Sequence, residues 1–375
     1  MVAGDPHALR RARATAQLLH RPRAAGVAEV VARLLAVQAQ DLRAARLALR
    51  ARAKGLAGAD VDAALSDERS VIVAWLGRGT LHLVGRDDYS WLLGLTAPTR
   101  LTASRRRLGQ LGVSPRQAER AMEIIERALA EEGPLTRPEL AERIAAKRVR
   151  TEGQATPHLL GLAGLRGLVV LGPVRDDGAQ AFALTRDWLG AAPEPALEGA
   201  DREAALAELA RRYLVGHGPA TPADLAAWSG LPLRDARAGL VAIAAELEER
   251  DDDLVDLATR APARARGSAR ARGSARARDP ARASAAIPAR LLPAFDPYLL
   301  GWKDRGFAVP ARHAKRVHPG GGMLRATATV DGRAVGTWSA ARGEVELELF
   351  ARVDAAAKQA LGEDGQDVAR FLQAR

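Results

Sequence analysis

The chain has 375 residues, of which 47% are hydrophobic and 27% charged, with no cysteine and a formal net charge of +11. That composition is globular; it excludes a disulfide framework and thiolate metal sites, and no uncharged stretch approaches the roughly 18 residues a membrane helix needs. Nine arginines against one acid between Arg260 and Arg290 supply +8 of the total charge, so the excess is local and does not by itself argue for a nucleic-acid-binding fold.

The length exceeds the usual single-core range, so two or more subdomains are expected. Residues 1–23 are basic, with charges too closely spaced for the apolar core of about 7–15 residues that a signal peptide carries, and a cytoplasmic location is expected. From Gly26 to Val37 the apolar residues Val27, Val30, Val31, Leu34 and Leu35 follow the helical period. A second helix starts after Asp41, a good N-cap, and carries Leu42, Ala45 and Leu49. This reading leaves the segment LAVQAQDL with Gln38 and Gln40 at a helix–helix junction, where an extended backbone would turn both amides to one side. Ser70 to Gly77 reads as the end of a helix, and Thr80 to Val84 as a strand with Thr80 and His82 on one face.

Two later segments repeat one architecture. In the first, helices over Ser114 to Glu132, from a Thr136 cap through Ala145, and over Thr156 to Leu165 precede a hairpin turning at Asp177-Gly178. In the second, Arg202 to Val215, TPADLAAWSG and LPLRDARAGLVAIAAELEER lead to a short strand around Leu254 to Leu257. Helix, helix, turn, helix, wing is the order of a winged helix-turn-helix unit, and the N-terminal part fits a third, divergent copy. The repeat ARARGS, ARARGS, ARARDP that ends at Pro280 reads as a disordered basic linker, either a spacer or a phosphate-binding tail. Beyond it, Ala311 to Val317 is expected to pair with Met323 to Val330 across His318-Pro319. Asp331-Gly332 marks a hairpin, Glu344 to Phe350 a strand and Ala355 to Leu372 a helix.

The expected fold is therefore α+β, mainly α: winged-helix units over 1–112, 113–198 and 199–259, a linker over 260–290, and a C-terminal antiparallel β subdomain over 291–375. No Walker loop, HExxH, Cys/His zinc pattern, GxSxG or dinucleotide fingerprint is present, and the seven histidines lack ligand spacing, so neither cofactor nor metal is expected.

Four stretches in order, VQAQD (Val37 to Asp41), GRGTLHLV (Gly77 to Val84), LLPAFDPYLLGWKDR (Leu291 to Arg305) and VDGRAVGTW (Val330 to Trp338), resemble the AlkZ-type DNA glycosylases, a tandem winged-helix family that also includes YcaQ. The Gln-x-Gln pair is similar to the AlkZ branch; the YcaQ branch has Gln-x-Asp. The resemblance implies excision of alkylated or cross-linked purines from double-stranded DNA, with Gln38 and Gln40 in the catalytic positions. A monomer with no membrane association is expected. His82 has a DNA-facing reading beside that of an ordinary strand histidine. Lys303, Arg305, Arg312, Lys315 and Arg316 near His318 form a basic cluster, with phosphate contact and a duplex-probing hairpin as its functional reading. Asp296 and Tyr298 read as structural, with Asp296 in a turn and available to pair with an arginine.

The implied chemistry is open to glutamine even though a carboxamide is neither acid nor base near neutral pH. A purine alkylated at N7 or N3 is already cationic and leaves neutral without being protonated, so a held water and support for the sugar cation suffice. With no lysine in the motif, hydrolysis to an abasic site is expected rather than a Schiff-base route. Asp41 is either an N-cap or the base for that water. The rival reading from another class is a non-enzymatic winged-helix DNA-binding protein or transcriptional regulator, which would have no use for Gln38 and Gln40; a protein-interaction adaptor is a third.

Overall fold

In the computed structural model, which describes residues 6–20, 26–175, 177–193, 196–250, 253–258, 286–341 and 344–373, one order of elements recurs three times. It first runs helix Val27–Leu34, strand β1 (Ala36–Gln38), helices Leu42–Arg50 and Gly58–Ser66, then the hairpin of β2 (Val71–Leu76) and β3 (Thr80–Gly85). The second pass is helix Pro115–Glu132, β4 (Leu135–Thr136), helices Arg137–Ala146 and Ala155–Leu165, and β5 (Val169–Val174) with β6 (Gln180–Leu184). The third is helix Gly199–His217, a single bridge from Ala220 to Val255, helices Pro222–Ser229 and Leu233–Ala242, and β7 (Leu247–Glu249) with β8 (Val255–Leu257). Local chemistry sets the helix starts. Ser114 and Gln117 exchange side-chain-to-backbone bonds, as do Thr221 and Asp224, each such cap contributing about 1 kcal/mol.

The first two hairpins join edge to edge, Val73 opposite Leu171, into a six-stranded antiparallel sheet of order β1-β3-β2-β5-β6-β4. Both faces of this sheet are covered. Val71 and Val73 pack with Leu34, Val37 and Leu159 in one core, whereas Ile72, Ala74 and Leu76 pack with Tyr89, Trp188 and Tyr213 in the other. That double burial corrects the expectation of a helix end over Ser70 to Gly77: VIVAWL is a strand, and a strand buried on both faces shows no alternation to read. The helix expected through Val37 also ends early. It stops at Leu34, Leu35 takes φ +65°, and the chain leaves as β1.

The C-terminal unit is a four-stranded antiparallel sheet, order β12-β11-β10-β9, of β9 (Arg290–Leu292), β10 (Thr327–Val330), β11 (Arg333–Ala341) and β12 (Glu344–Leu349), with helix Ala355–Gln373 against it. Asp331 and Gly332 both have positive φ in the β10–β11 turn, the geometry that favours Asp-Gly. Two expectations fail here. Ala311 to Val317 is not a strand: it forms helical turns over Ala311–His313 and Ala314–Val317, leaving Gly320 to Met323 as an isolated bridge. Alanine, arginine and lysine there carry no β-branched pattern to oppose a helical turn. The expected linker reaches too far as well, since Ile287 and Ala289 are buried, the Ile287 N–H donates to Asp331, and Arg290 begins β9. The arginine repeat lies outside the described residues.

One buried ion pair ties the ends of the chain together. Asp296 and Arg52, both 0% exposed, meet through two parallel bonds of 2.8 and 2.9 Å. Arg52 also donates to Gln17, whose amide N–H donates to the Gly216 carbonyl, and Asp296 caps the short helix Pro297–Leu300 by accepting from the Tyr298 N–H. The structural reading of Asp296 holds, and the Tyr298 hydroxyl donates to Gly332. Removing one partner strands a buried charge, so Asp296→Ala is expected to cost about 3–5 kcal/mol in equilibrium denaturation. A change under about 1 kcal/mol would show that the pair is dispensable.

Candidate functional site

Gln38 is the last residue of β1, the edge strand of the large sheet, and sits in register with His82 on β3. The Ala39 N–H still donates to the Leu81 carbonyl, so the backbone stays extended past the strand's end. Exposure alternates accordingly: Gln38 half-buried, Ala39 buried, Gln40 exposed. The two glutamines therefore leave the same side of an extended segment. Asp41 caps the following helix, its Oδ1 accepting from the Ala44 N–H at 3.2 Å.

A residue not singled out from sequence completes this arrangement. Arg78 Nη2 donates to Gln38 Oε1 at 3.0 Å, while Nη1 donates to the Ala227 and Trp228 carbonyls at 3.3 and 3.2 Å. A guanidinium has no acceptor, so the amide must turn its oxygen to Arg78 and its NH2 away. Arg78 lies in the tight turn between β2 and β3, between Gly77 and Gly79, both at positive φ. That turn docks on the end of helix Pro222–Ser229: a Cβ on Gly77 would come within 3.1 Å of the Ser229 carbonyl, and one on Gly230 within 3.0 Å of Arg78 Cγ. Arg100 reinforces the contact, donating to the Gly77 and Gly230 carbonyls at 3.0 and 2.8 Å. The only sequence signal for Arg78 was the glycine pair around it in GRGT.

His82 is buried, and its Nδ1–H donates to the Thr80 carbonyl at 2.9 Å, which leaves the lone pair on Nε2. Burial first, and Arg78 second, pull its pKa down to about 4, so the ring is neutral at pH 7. Arg305 donates through Nε to the Leu299 carbonyl at 2.6 Å and lies close enough to Arg78 to lower the latter's guanidinium pKa, after burial. Lys303 is exposed, with its backbone N–H held by Asp224 Oδ1 at 2.9 Å. Gln38, His82 and Arg305 are thus brought together around Arg78.

Arg316 and His318 go elsewhere. Arg316 pairs with Glu348 at 3.1 Å beside the Phe350 ring, and His318 hydrogen-bonds the Met323 carbonyl. Among the described residues neither bonds to Gln38, Gln40, His82 or Arg305, so the basic run that is contiguous in sequence is divided in space. Among the described residues no group of His, Asp and Glu is placed to hold a metal ion, and no helix is long and apolar enough to cross a membrane.

The histidine burial has a measurable consequence. His82 and the fully buried His217, pulled down to about 3 chiefly by burial, bind a proton in the unfolded chain near pH 6.5 but not in the folded one. Stability is therefore flat with respect to these groups above pH 7 and falls as pH drops from about 6.5 toward 4, by up to about 1.4 kcal/mol per pH unit for each. Urea denaturation at pH 7 and pH 5 is expected to show a smaller loss for His82→Gln than for the unchanged protein; an equal loss would contradict a neutral buried ring.

Comparison with known proteins identifies the family of the chain. Residues 31–371 match the family model described as DNA glycosylase AlkZ-like. The chain is 27% identical over 353 residues to the interstrand DNA cross-link repair glycosylase of Streptomyces sahachiroi, covering 91% of this chain and 90% of the relative. It superposes on the structure of the Streptomyces sahachiroi DNA glycosylase AlkZ with a TM-score of 0.73 at 26% identity, over 98% of this chain and 97% of the other. A single family model running from the helix before Gln38 almost to the end of the C-terminal helix settles the assignment: the chain belongs to the AlkZ-like family of DNA glycosylases.

Proposed function

We propose that this glycosylase hydrolyses the N-glycosidic bond of purines alkylated at N7 or N3, including purines joined in interstrand cross-links, and leaves an abasic site. The observation that carries the reading is the pair of amides two residues apart, Gln38 at the end of the edge strand and Gln40 just past it, with no acid positioned by hydrogen bonding to either. His82, neutral at pH 7 and with its pKa pulled down to about 4, is a poor proton donor to a leaving base. A cationic purine needs no such donor.

The two amides divide the work. Gln38 has its oxygen committed to Arg78, so it presents its NH2 toward the sugar or phosphate as a fixed donor. Gln40 is exposed and makes no hydrogen bond with the described residues, which leaves its amide oxygen to accept a bond from the attacking water and to face the developing cation at C1′. Asp41, holding the helix start with one oxygen, supports the extended geometry of the pair.

The scaffold is read as three winged helix-turn-helix units, 1–112, 113–198 and 199–259, followed by the β-rich unit, acting as a monomer on double-stranded DNA in the cytoplasm. The thrice-repeated order of elements supports this division. Lys303, Arg305, Arg316 and His318 are assigned to DNA contact, in two groups rather than one.

Single-turnover release of N7-methylguanine from duplex DNA, read by alkaline cleavage at the abasic site, tests the proposal. Gln38→Ala and Gln40→Ala are each expected to lower the rate by about 10²-fold or more with little change in DNA affinity, the scale for losing a transition-state hydrogen bond. Full activity in the double variant, or tight binding by the unchanged protein with no base release on any alkylated purine, would overturn it.

A further inference from the structure

Buried arginines in this protein are matched with carboxylates. Arg52 has Asp296, Arg50 has Asp364 and Asp367, and Arg13 has Asp224. The half-buried Arg78, Arg100 and Arg305, clustered together, have no such match. Their hydrogen bonds go to backbone carbonyls and to Gln38, and among the described residues none of the three makes an ion pair. Burial and the nearness of Arg305 and Arg100 lower the Arg78 guanidinium pKa, the signature of like charges gathered without compensation. Asp304 is the acid Arg305 feels, but its Oδ1 accepts from the Gly306 N–H.

Donors remain available in this cluster. Arg305 uses only Nε, and Arg100 uses Nε and Nη2. Both terminal nitrogens of Arg305 and Nη1 of Arg100 are unbonded yet absent from the buried unsatisfied atoms, so they face solvent. A half-buried set of forked donors with unbalanced positive charge suits an oxygen-rich anion bound bidentately. The position beside Gln38 adds a reason. Three cations next to a developing sugar cation would oppose the reaction unless an anion offsets them.

We propose that Arg78, Arg100 and Arg305 form a site for a backbone phosphodiester of the damaged strand, and that Arg78 couples that phosphate to the Gln38 amide. The second clause rests on the glycosylase mechanism above; the first does not. The substrate then completes its own catalytic site, because its phosphate neutralises the cluster and steadies the arginine that orients the amide.

Two measurements separate these clauses. The salt dependence of binding to undamaged duplex DNA reports phosphate contacts without any chemistry, with a slope change of about 0.9 per contact. Arg305→Gln is expected to lower the slope by about one and Arg305→Lys to keep it, which also distinguishes lost contact from lost folding. Arg78→Lys is expected to keep the slope, because the charge stays, but to slow single-turnover release at saturating enzyme at least tenfold, because an ammonium cannot bridge two carbonyls and the amide in the same fork. An unchanged slope in Arg305→Gln overturns the phosphate site even where base release is robust. An unchanged rate in Arg78→Lys overturns the coupling to Gln38. Gln38→Ala is the control: if it still releases base at the full rate, the mechanism fails, while the slopes still judge the site.

Discussion

The buried Arg52–Asp296 pair is the constraint on which the arrangement of this molecule turns. Two fully buried charges are tolerable only when their geometry is good and further hydrogen bonds meet most of their bonding capacity, and that requirement draws in the Ala48 carbonyl, Gln17 and the Tyr298 N–H. Through Gln17 it reaches Gly216 at the end of helix Gly199–His217. The pair thereby anchors the AFDPYLLGWKDR segment to the first and third repeats at once. Around it Tyr213 stacks in parallel on His217, and His217, Trp302, Tyr298 and Phe307 meet edge to face, with the Arg13 guanidinium lying over Trp302 and Phe307. Two of the chain's three tyrosines are used in this joint.

That anchoring is what delivers Arg305 to the amide strand. The segment starts at Asp296, is fixed again where Asp224 holds the Lys303 N–H, and ends with Arg305 against the Leu299 carbonyl and near Arg78. Meanwhile the β2–β3 turn docks on helix Pro222–Ser229 through Gly77, Gly230 and the two arginines. The orientation of a single amide, Gln38, is therefore a product of the first repeat, the third repeat and the C-terminal segment together. No one of these units carries the geometry alone.

The electrostatics of the site follow the same logic. In the proposed mechanism a leaving base that is already cationic makes a proton donor unnecessary, which is compatible with the neutral, buried histidine in register with Gln38. What surrounds Arg78 in surplus is positive charge, which a polyanionic strand is suited to balance. If both proposals hold, lesion chemistry and backbone recognition are linked, since Arg78 bonds Gln38 and is near Arg100 and Arg305.

Much of this was legible in the chain itself. Helix starts at Ser114, Thr136 and Thr221, the Asp177-Gly178 and Asp331-Gly332 turns and the structural use of Asp296 all rest on local rules, in which a residue's own backbone preference or cap decides the outcome, whereas the role expected of Gln38 and Gln40 came from the family resemblance and not from any local rule. The strand over Val71–Leu76 was not legible, because burial on both faces erases the period that distinguishes strand from helix. Nor was the division of the basic run: Arg305 and Arg316 are neighbours in sequence, and only the docking of WKDR against Asp224 sends one to the amides and leaves the other beside Glu348. Arg78 is the clearest case. Its sequence announces a tight glycine-flanked turn, a local property, but its bond to Gln38 and its like-charged neighbours come from residues far away in the chain, and long-range charge and packing are settled only when the tertiary structure brings them together.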